Sequence, residues 1–133
     1  MVKLRAGNFE VSTIAQPSPI KVKQLLSAWY QAHSTQKFEE AFTSSLALFQ
    51  QFNLEPELEI RRMKNRWGSC TPTGKIMLNP EIIKAPTKCI EYVIVHELCH
   101  LVHPDHSRSF YLLLESVLPD WQRWKLRLEK SLV

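Results

Sequence analysis

Apolar residues recur at helical spacing through most of the first half of the chain. They lie three or four positions apart and form two runs, Val22, Leu25, Leu26 and Trp29, then Phe38, Phe42, Leu46 and Phe49. Such spacing puts the apolar side chains of each run on one face of a helix. The pattern therefore predicts a mainly helical lead-in over residues 1–55.

The pattern changes to a strand-like one in the middle of the chain. Apolar and charged residues alternate over residues 57–64, which predicts a half-buried strand. Two further strands, at 67–71 and 75–79, flank Pro72-Thr73-Gly74, where proline presets one turn residue and glycine permits a positive φ. We therefore predict a short antiparallel sheet of three strands.

Helical spacing returns in the last third of the chain. A helix begins at Pro86 and ends before Pro104, because proline prevents its continuation. Its apolar face consists of Ile90, Ile94, Leu98 and Leu101. A second helix is capped by Ser107 and ends at Pro119, and a third begins at Asp120.

Length and composition suit one ordinary globular domain. The chain has 133 residues, of which 44% are hydrophobic and 23% charged, so a single core can bury most of the apolar surface. No run approaches the roughly 18 to 20 apolar residues of a membrane span, and the N-terminus lacks the apolar core of a secretory signal. We expect one domain over residues 1–133, in the cytoplasm and without membrane association.

Charge and cysteine content narrow the chemistry. The net charge of +4 would suit a polyanionic partner, but the basic residues are scattered, so nucleic acid is weakly supported. The three cysteines, Cys70, Cys89 and Cys99, are an odd number without a CxxC pair. This argues against a disulfide framework and against a zinc module built from cysteine.

The histidines point to a metal site on the predicted helix that begins at Pro86. His96, Glu97 and His100 form the pattern H-E-x-x-H. Residues four apart lie one above the other on a helix, so the two imidazoles can reach one tetrahedral metal ion. Glu97 lies a quarter turn away and is better placed to hydrogen-bond a metal-bound water than to act as a ligand.

A third ligand should follow the end of that helix. His106 comes ten residues after His96, and a neutral imidazole is a common zinc donor, so we favour it over Asp105 and Glu115. We expect His103 to be solvated or to lie outside the ligand set. Arg66 and Tyr111 are weaker candidates for stabilising an oxyanion. We expect the four tryptophans to pack in the core or on strands rather than to stack on bases.

The ordered motifs resemble a known family. They are RWGSCTPTGKIMLN at 66–79, Pro86, IEYVIVHELCHLVHPDHSRSF at 90–110 and LPDW at 118–121. The chain resembles the YgjP-like metal-dependent hydrolases, relatives of the minigluzincin and SprT-like metallopeptidases, strongly in its C-terminal half and loosely in its first half. The resemblance implies a small α+β, zincin-like domain, with the sheet packed on the H-E-x-x-H helix and a catalytic core over residues 56–133.

By position, the resemblance implies that His96, His100 and His106 hold Zn²⁺ and that Glu97 is the catalytic base. The leading expectation is hydrolysis of a peptide or unfolded protein, with the extended substrate pairing with the strand at 75–79. One alternative is a nucleoside triphosphate (UTP) pyrophosphatase that uses the same metal. Another is a non-catalytic or nucleic-acid-associated zinc-binding domain. The family likeness also leaves open whether the enzyme is latent.

Overall fold

The chain divides into two compact units. A computed structural model describes residues 2–5, 8–11 and 19–131, and the units are Met1–Gln36 and Lys37–Val133. The organisation expected from the sequence, a single domain with a lead-in over 1–55 and a catalytic core over 56–133, stays a prediction.

The first unit contains a pair of strands and the start of a long helix. Strand β1, Val2–Arg5, pairs antiparallel with β2, Asn8–Val11. Helix α1, Pro19–Leu46, confirms the helix predicted in this half of the chain. It begins in the first unit, ends in the second and is followed by a 3₁₀ helix, Ala47–Phe52.

The second unit has a three-stranded mixed sheet. Its strands are β3, Glu57–Ile60, β4, Gly68–Cys70, and β5, Lys75–Leu78, in the order β3-β5-β4. The β4–β5 hairpin is antiparallel as predicted, but β3 runs parallel to β5. The predicted antiparallel sheet is therefore wrong in one pairing. Alternation of apolar and polar residues tells which face of a strand is buried, and it carries no information on strand direction.

Strand β3 is shorter than predicted and is followed by a loop held by hydrogen bonds. Asn65 in this loop adopts a left-handed φ of 66°. The buried side-chain amide of Asn79 donates hydrogen bonds to the carbonyl oxygens of Met63 and Arg66 over 2.8 and 3.0 Å. These bonds fix the loop between β3 and β4 against the end of β5. The backbone of Arg66 therefore has a defined position.

The remaining elements are the predicted helices. They are α2, Thr87–Val102, α3, Arg108–Val117, and α4, Trp121–Ser131. Side chains from α1, the sheet and all three of these helices share one core. Its fully buried members include Phe38, Phe49, Ile76, Leu78, Ile90, Ile94, Leu98, Phe110 and Leu114. Within the part of the chain that the structure describes, no helix has the length and apolar character to span a membrane.

Candidate metal centre

Helix α2 turns one polar edge away from the core. His96 and His100 are half-buried on this edge, with ring centroids 4.9 Å apart. Glu97 follows His96 toward the sheet and keeps 8% of its surface exposed. The apolar residues of α2 face the core, as the spacing predicted. His96, Glu97 and His100 therefore lie on a helix whose opposite face is packed in the core.

The loop between α2 and α3 brings a third histidine to the same place. His103 ends α2 in an extended conformation, and its N–H donates to the Cys99 carbonyl over 2.8 Å. Ser107 caps α3 by accepting a hydrogen bond from the Phe110 N–H. Between these two anchors lies His106, whose ring centroid is 5.3 Å from His96 and 4.5 Å from His100.

His96, His100 and His106 form the histidine cluster. One ring nitrogen from each can be chosen so that all three lie within 4.8 Å of one another. Among the described residues this is the group of three or more potential ligands that the fold brings together, and it includes neither Asp105 nor Glu115. The structure thus assembles the three histidines that the sequence singled out and leaves their role as ligands to experiment.

A buried aromatic ring supports the cluster from below. Phe110 is fully buried, and its centroid lies 5.2, 4.6 and 5.0 Å from the rings of His96, His100 and His106. The spacing of residues along the chain gives no sign of this contact between Phe110 and the histidines. The phenyl ring restricts how far each imidazole can tilt, which favours a preformed cluster.

The hydrogen bonds of the histidines leave nitrogens free for a metal. His100 Nδ1 is 2.9 Å from the Pro104 carbonyl oxygen, and a carbonyl can act as an acceptor alone, so Nδ1 carries the hydrogen and Nε2 keeps its lone pair. His96 Nδ1 is likewise paired, with Glu97 Oε2 at 3.2 Å. Burial, followed by the neighbouring His100 and His96, lowers the pKa of His106 and favours its neutral form. Neutral imidazoles of this kind fit a zinc ion.

An open cavity of about 610 Å³ lies above the cluster. Its wall includes the three histidines, Glu97, Arg66 and the whole of β4. Strand β5 is the central strand of the sheet and is paired on both sides. The expectation that a substrate pairs with residues 75–79 is therefore wrong. Strand β4 lies at the edge of the sheet beside the cavity.

Other predicted residues have defined places outside the cluster. Tyr111 is 42% exposed, and its ring centroid is 6.2 Å from that of His106. Trp67, Trp121 and Trp124 pack against the core, and Trp29 stacks on His33 at 4.9 Å. Cys70, Cys89 and Cys99 are free thiols, which agrees with the absence of a disulfide framework predicted from their number and spacing.

Strand β4 makes a close contact with α2 that the sequence did not reveal. A Cβ atom on Gly68 would come within 2.6 Å of Val93 Cγ1 and 3.4 Å of Glu97 Cγ. Two residues further along, Cys70 lines the same cavity as Glu97. Burial, then the charge of Glu97 and hydrogen bonding to it, raises the pKa of Cys70 to about 11. The G-S-C motif is visible in the sequence, but its separation from Glu97 along the chain gives no indication that the two are close in the fold.

Two small metallopeptidases of known structure share this fold. The chain is similar to the crystal structure of the metallopeptidase zymogen abylysin of Pyrococcus abyssi, with 23% identity and a TM-score of 0.64 over 71% of this chain and 94% of that one. It is also similar to the zymogen jannalysin of Methanocaldococcus jannaschii, with 20% identity and a TM-score of 0.62 over 73% and 91% of the two chains.

The sequence assigns the family within that class. The profile of the YgjP-like metallopeptidase domain matches residues 2–131, and the chain belongs to this family. The likeness extends well beyond the C-terminal half in which the motifs are concentrated. A comparison with curated proteins finds no match. Membership establishes a metal-dependent hydrolase of the metallopeptidase type.

Proposed function

We propose that this protein is a zinc peptidase in which His96, His100 and His106 hold the metal and Glu97 is the general base. The observation that carries the proposal is the convergence of three imidazoles beside a nearly buried carboxylate, at the floor of an open cavity. Three protein ligands are the number expected of a catalytic zinc site, whereas structural sites usually have four.

The residues of the chain divide the chemistry between them. The three histidines would hold a zinc ion, which would supply Lewis acidity to the scissile carbonyl and would lower the pKa of water at the site toward about 7. Glu97 accepts a proton from the attacking water and delivers it to the leaving amine. Phe110 keeps the imidazoles oriented. The pairing of His100 Nδ1 with the Pro104 carbonyl keeps Nε2 available.

The proposed substrate is an extended peptide or a segment of unfolded protein. Strand β4 is an edge strand that forms part of the cavity wall, so a peptide can add to it by main-chain hydrogen bonds. Such pairing would draw the scissile bond across the histidine cluster. Arg66, also on the cavity wall, offers a cation to a substrate carboxylate or to a developing oxyanion.

The other candidate activities lack a comparable observation. Neither the family nor the two similar structures supports a nucleoside triphosphate substrate or a nucleic-acid partner. That the metal is zinc and that the protein is cytoplasmic are predictions from the sequence. A non-catalytic zinc domain is disfavoured by the open cavity above a cluster of three potential ligands.

A product assay by mass spectrometry tests the proposal. Zinc-loaded wild type and Glu97→Gln are incubated with peptides, unfolded proteins and UTP, before and after limited proteolysis because both similar structures are zymogens. We expect cleaved peptide bonds from the wild type and a loss of about 10²- to 10⁴-fold in the mutant. Release of UMP and pyrophosphate instead, or equal peptide cleavage by both proteins, would refute it.

A further inference from the structure

The G-S-C segment of β4 is a motif that the zinc chemistry alone does not explain. It contributes no member of the histidine cluster, yet all of β4 lines the cavity. Its first residue, Gly68, approaches α2 so closely that any Cβ would collide with Val93. Such an approach brings the strand directly over the carboxylate that we assign as the general base.

Strand geometry decides where the third residue of this segment points. Side chains two residues apart on a strand lie on the same face. The Cβ direction of Gly68 leads toward Val93 and Glu97 on α2, so Cys70 also faces α2. Its partner across the sheet, Ile76, is fully buried on that face. Cys70 and Glu97 also line the same cavity, and the effect of the Glu97 carboxylate on the pKa of the Cys70 thiol agrees with this placement.

We propose that Cys70 is a positioning residue, whose thiol donates a hydrogen bond to the Glu97 carboxylate and fixes it beside the histidine cluster. This inference rests on the proposed function for its catalytic consequence. Glu97 has a second contact through Oε2 with His96 Nδ1 at 3.2 Å. Without the thiol, the carboxylate would be free to rotate about its side chain between that contact and the open cavity.

The chemistry of a thiol suits this task. Cys70 stays protonated near neutral pH because burial and the adjacent Glu97 raise its pKa to about 11, so it acts as a donor and not as a metal-binding thiolate. A thiol is a weak donor. Strong donors stabilise the charged form of a carboxylate and make it a poorer base. A weak donor is therefore compatible with the role of Glu97 as a base.

Kinetics of three zinc-loaded variants test the catalytic consequence. Cys70→Val keeps a similar volume without a donor, Cys70→Ser keeps a donor, and Cys89→Ala removes a buried thiol of α2 outside the cavity. We expect kcat to fall about 10-fold in Cys70→Val with KM within about two-fold, and to fall less than about three-fold in Cys70→Ser. Cys89→Ala should match the wild type. A wild-type kcat in Cys70→Val, or a serine variant no better than the valine one, would overturn the inference.

A second measurement tests the contact without using turnover. Iodoacetamide modification of Cys70 in the zinc-loaded chain is followed by peptide mass spectrometry at pH 8.5. We expect about five-fold faster modification in Glu97→Gln, because loss of the carboxylate increases the thiolate fraction. Glu91→Gln, on the same helix and paired with Lys88, should leave the rate unchanged. Equal rates in wild type and Glu97→Gln would overturn the contact, whereas a chain that cleaves no peptide would contradict the proposed function alone.

Discussion

Each imidazole of the histidine cluster is held in place by a different structural restraint. His100 is anchored by the Pro104 carbonyl, His96 by its position on α2, and His106 by the turn that ends at the cap of α3. Phe110 contacts all three rings. Because these restraints come from the protein itself, little ordering of side chains is needed when a metal binds.

Loss of the third histidine should weaken metal binding severely. We expect His106→Ala to lower zinc affinity more than about 100-fold, since removal even of residues that merely orient a ligand costs about 10- to 100-fold. Competition titration with a chromophoric chelator measures the change. His103→Ala is the matched control, because His103 lies three residues away and outside the histidine cluster. Unchanged affinity in His106→Ala would mean that Asp105, Glu115 or another group completes the site.

At the scale of elements, β4 packs closely against α2 at Gly68. Gly68→Ala should destabilise the protein by about 1–3 kcal/mol, because its methyl group would lie 2.6 Å from Val93 Cγ1. Urea denaturation measures the free energy of unfolding. Ser69→Ala, on the same short strand, should change it by less than about 0.5 kcal/mol.

A double variant identifies the cause of that loss. If the clash with Val93 is responsible, Gly68→Ala combined with Val93→Ala should cost less than the sum of the two single changes. Additive losses would mean that the strand moves away from α2 to accommodate the methyl group, and the close packing would then have no energetic role.

Some of these elements could be predicted from the sequence and others could not. Periodicity predicted α2, its apolar face and the placement of both its histidines, because these follow from local spacing. Ser107 correctly marked the start of α3. The parallel pairing of β3 with β5, and therefore the edge position of β4, was not predictable from local pattern, since strand order depends on non-local packing. The substrate strand was misassigned for this reason.

At the scale of the molecule, buried thiol and phenol groups make the free energy of unfolding depend on pH in the alkaline range. Burial raises the pKa of Cys99 and Tyr92 to about 12 and of Cys70 to about 11, and Glu97 adds to each shift. In the unfolded chain these groups lose their protons at lower pH. The folded state therefore binds more protons above about pH 9, and the free energy of unfolding falls as the pH rises toward 12.

The contribution of one residue to that fall can be measured. Cys99 is fully buried, so Cys99→Ala should decline less steeply between pH 9 and pH 12 than the wild type, whatever its stability at neutral pH. Urea denaturation at several pH values gives both slopes. Identical slopes would mean that the Cys99 thiol ionises in the folded protein about as easily as in the unfolded one.

In the proposed hydrolytic site, helix α2, the edge strand β4 and the histidine cluster act together. Zinc titration into metal-free protein, with peptide cleavage and bound zinc measured in the same samples, tests it most directly. We predict that activity rises to a maximum at one zinc per chain, and that Glu97→Gln binds the same amount while its cleavage stays about 10³-fold lower. Full cleavage by metal-free protein, or wild-type cleavage by zinc-loaded Glu97→Gln, would contradict the account.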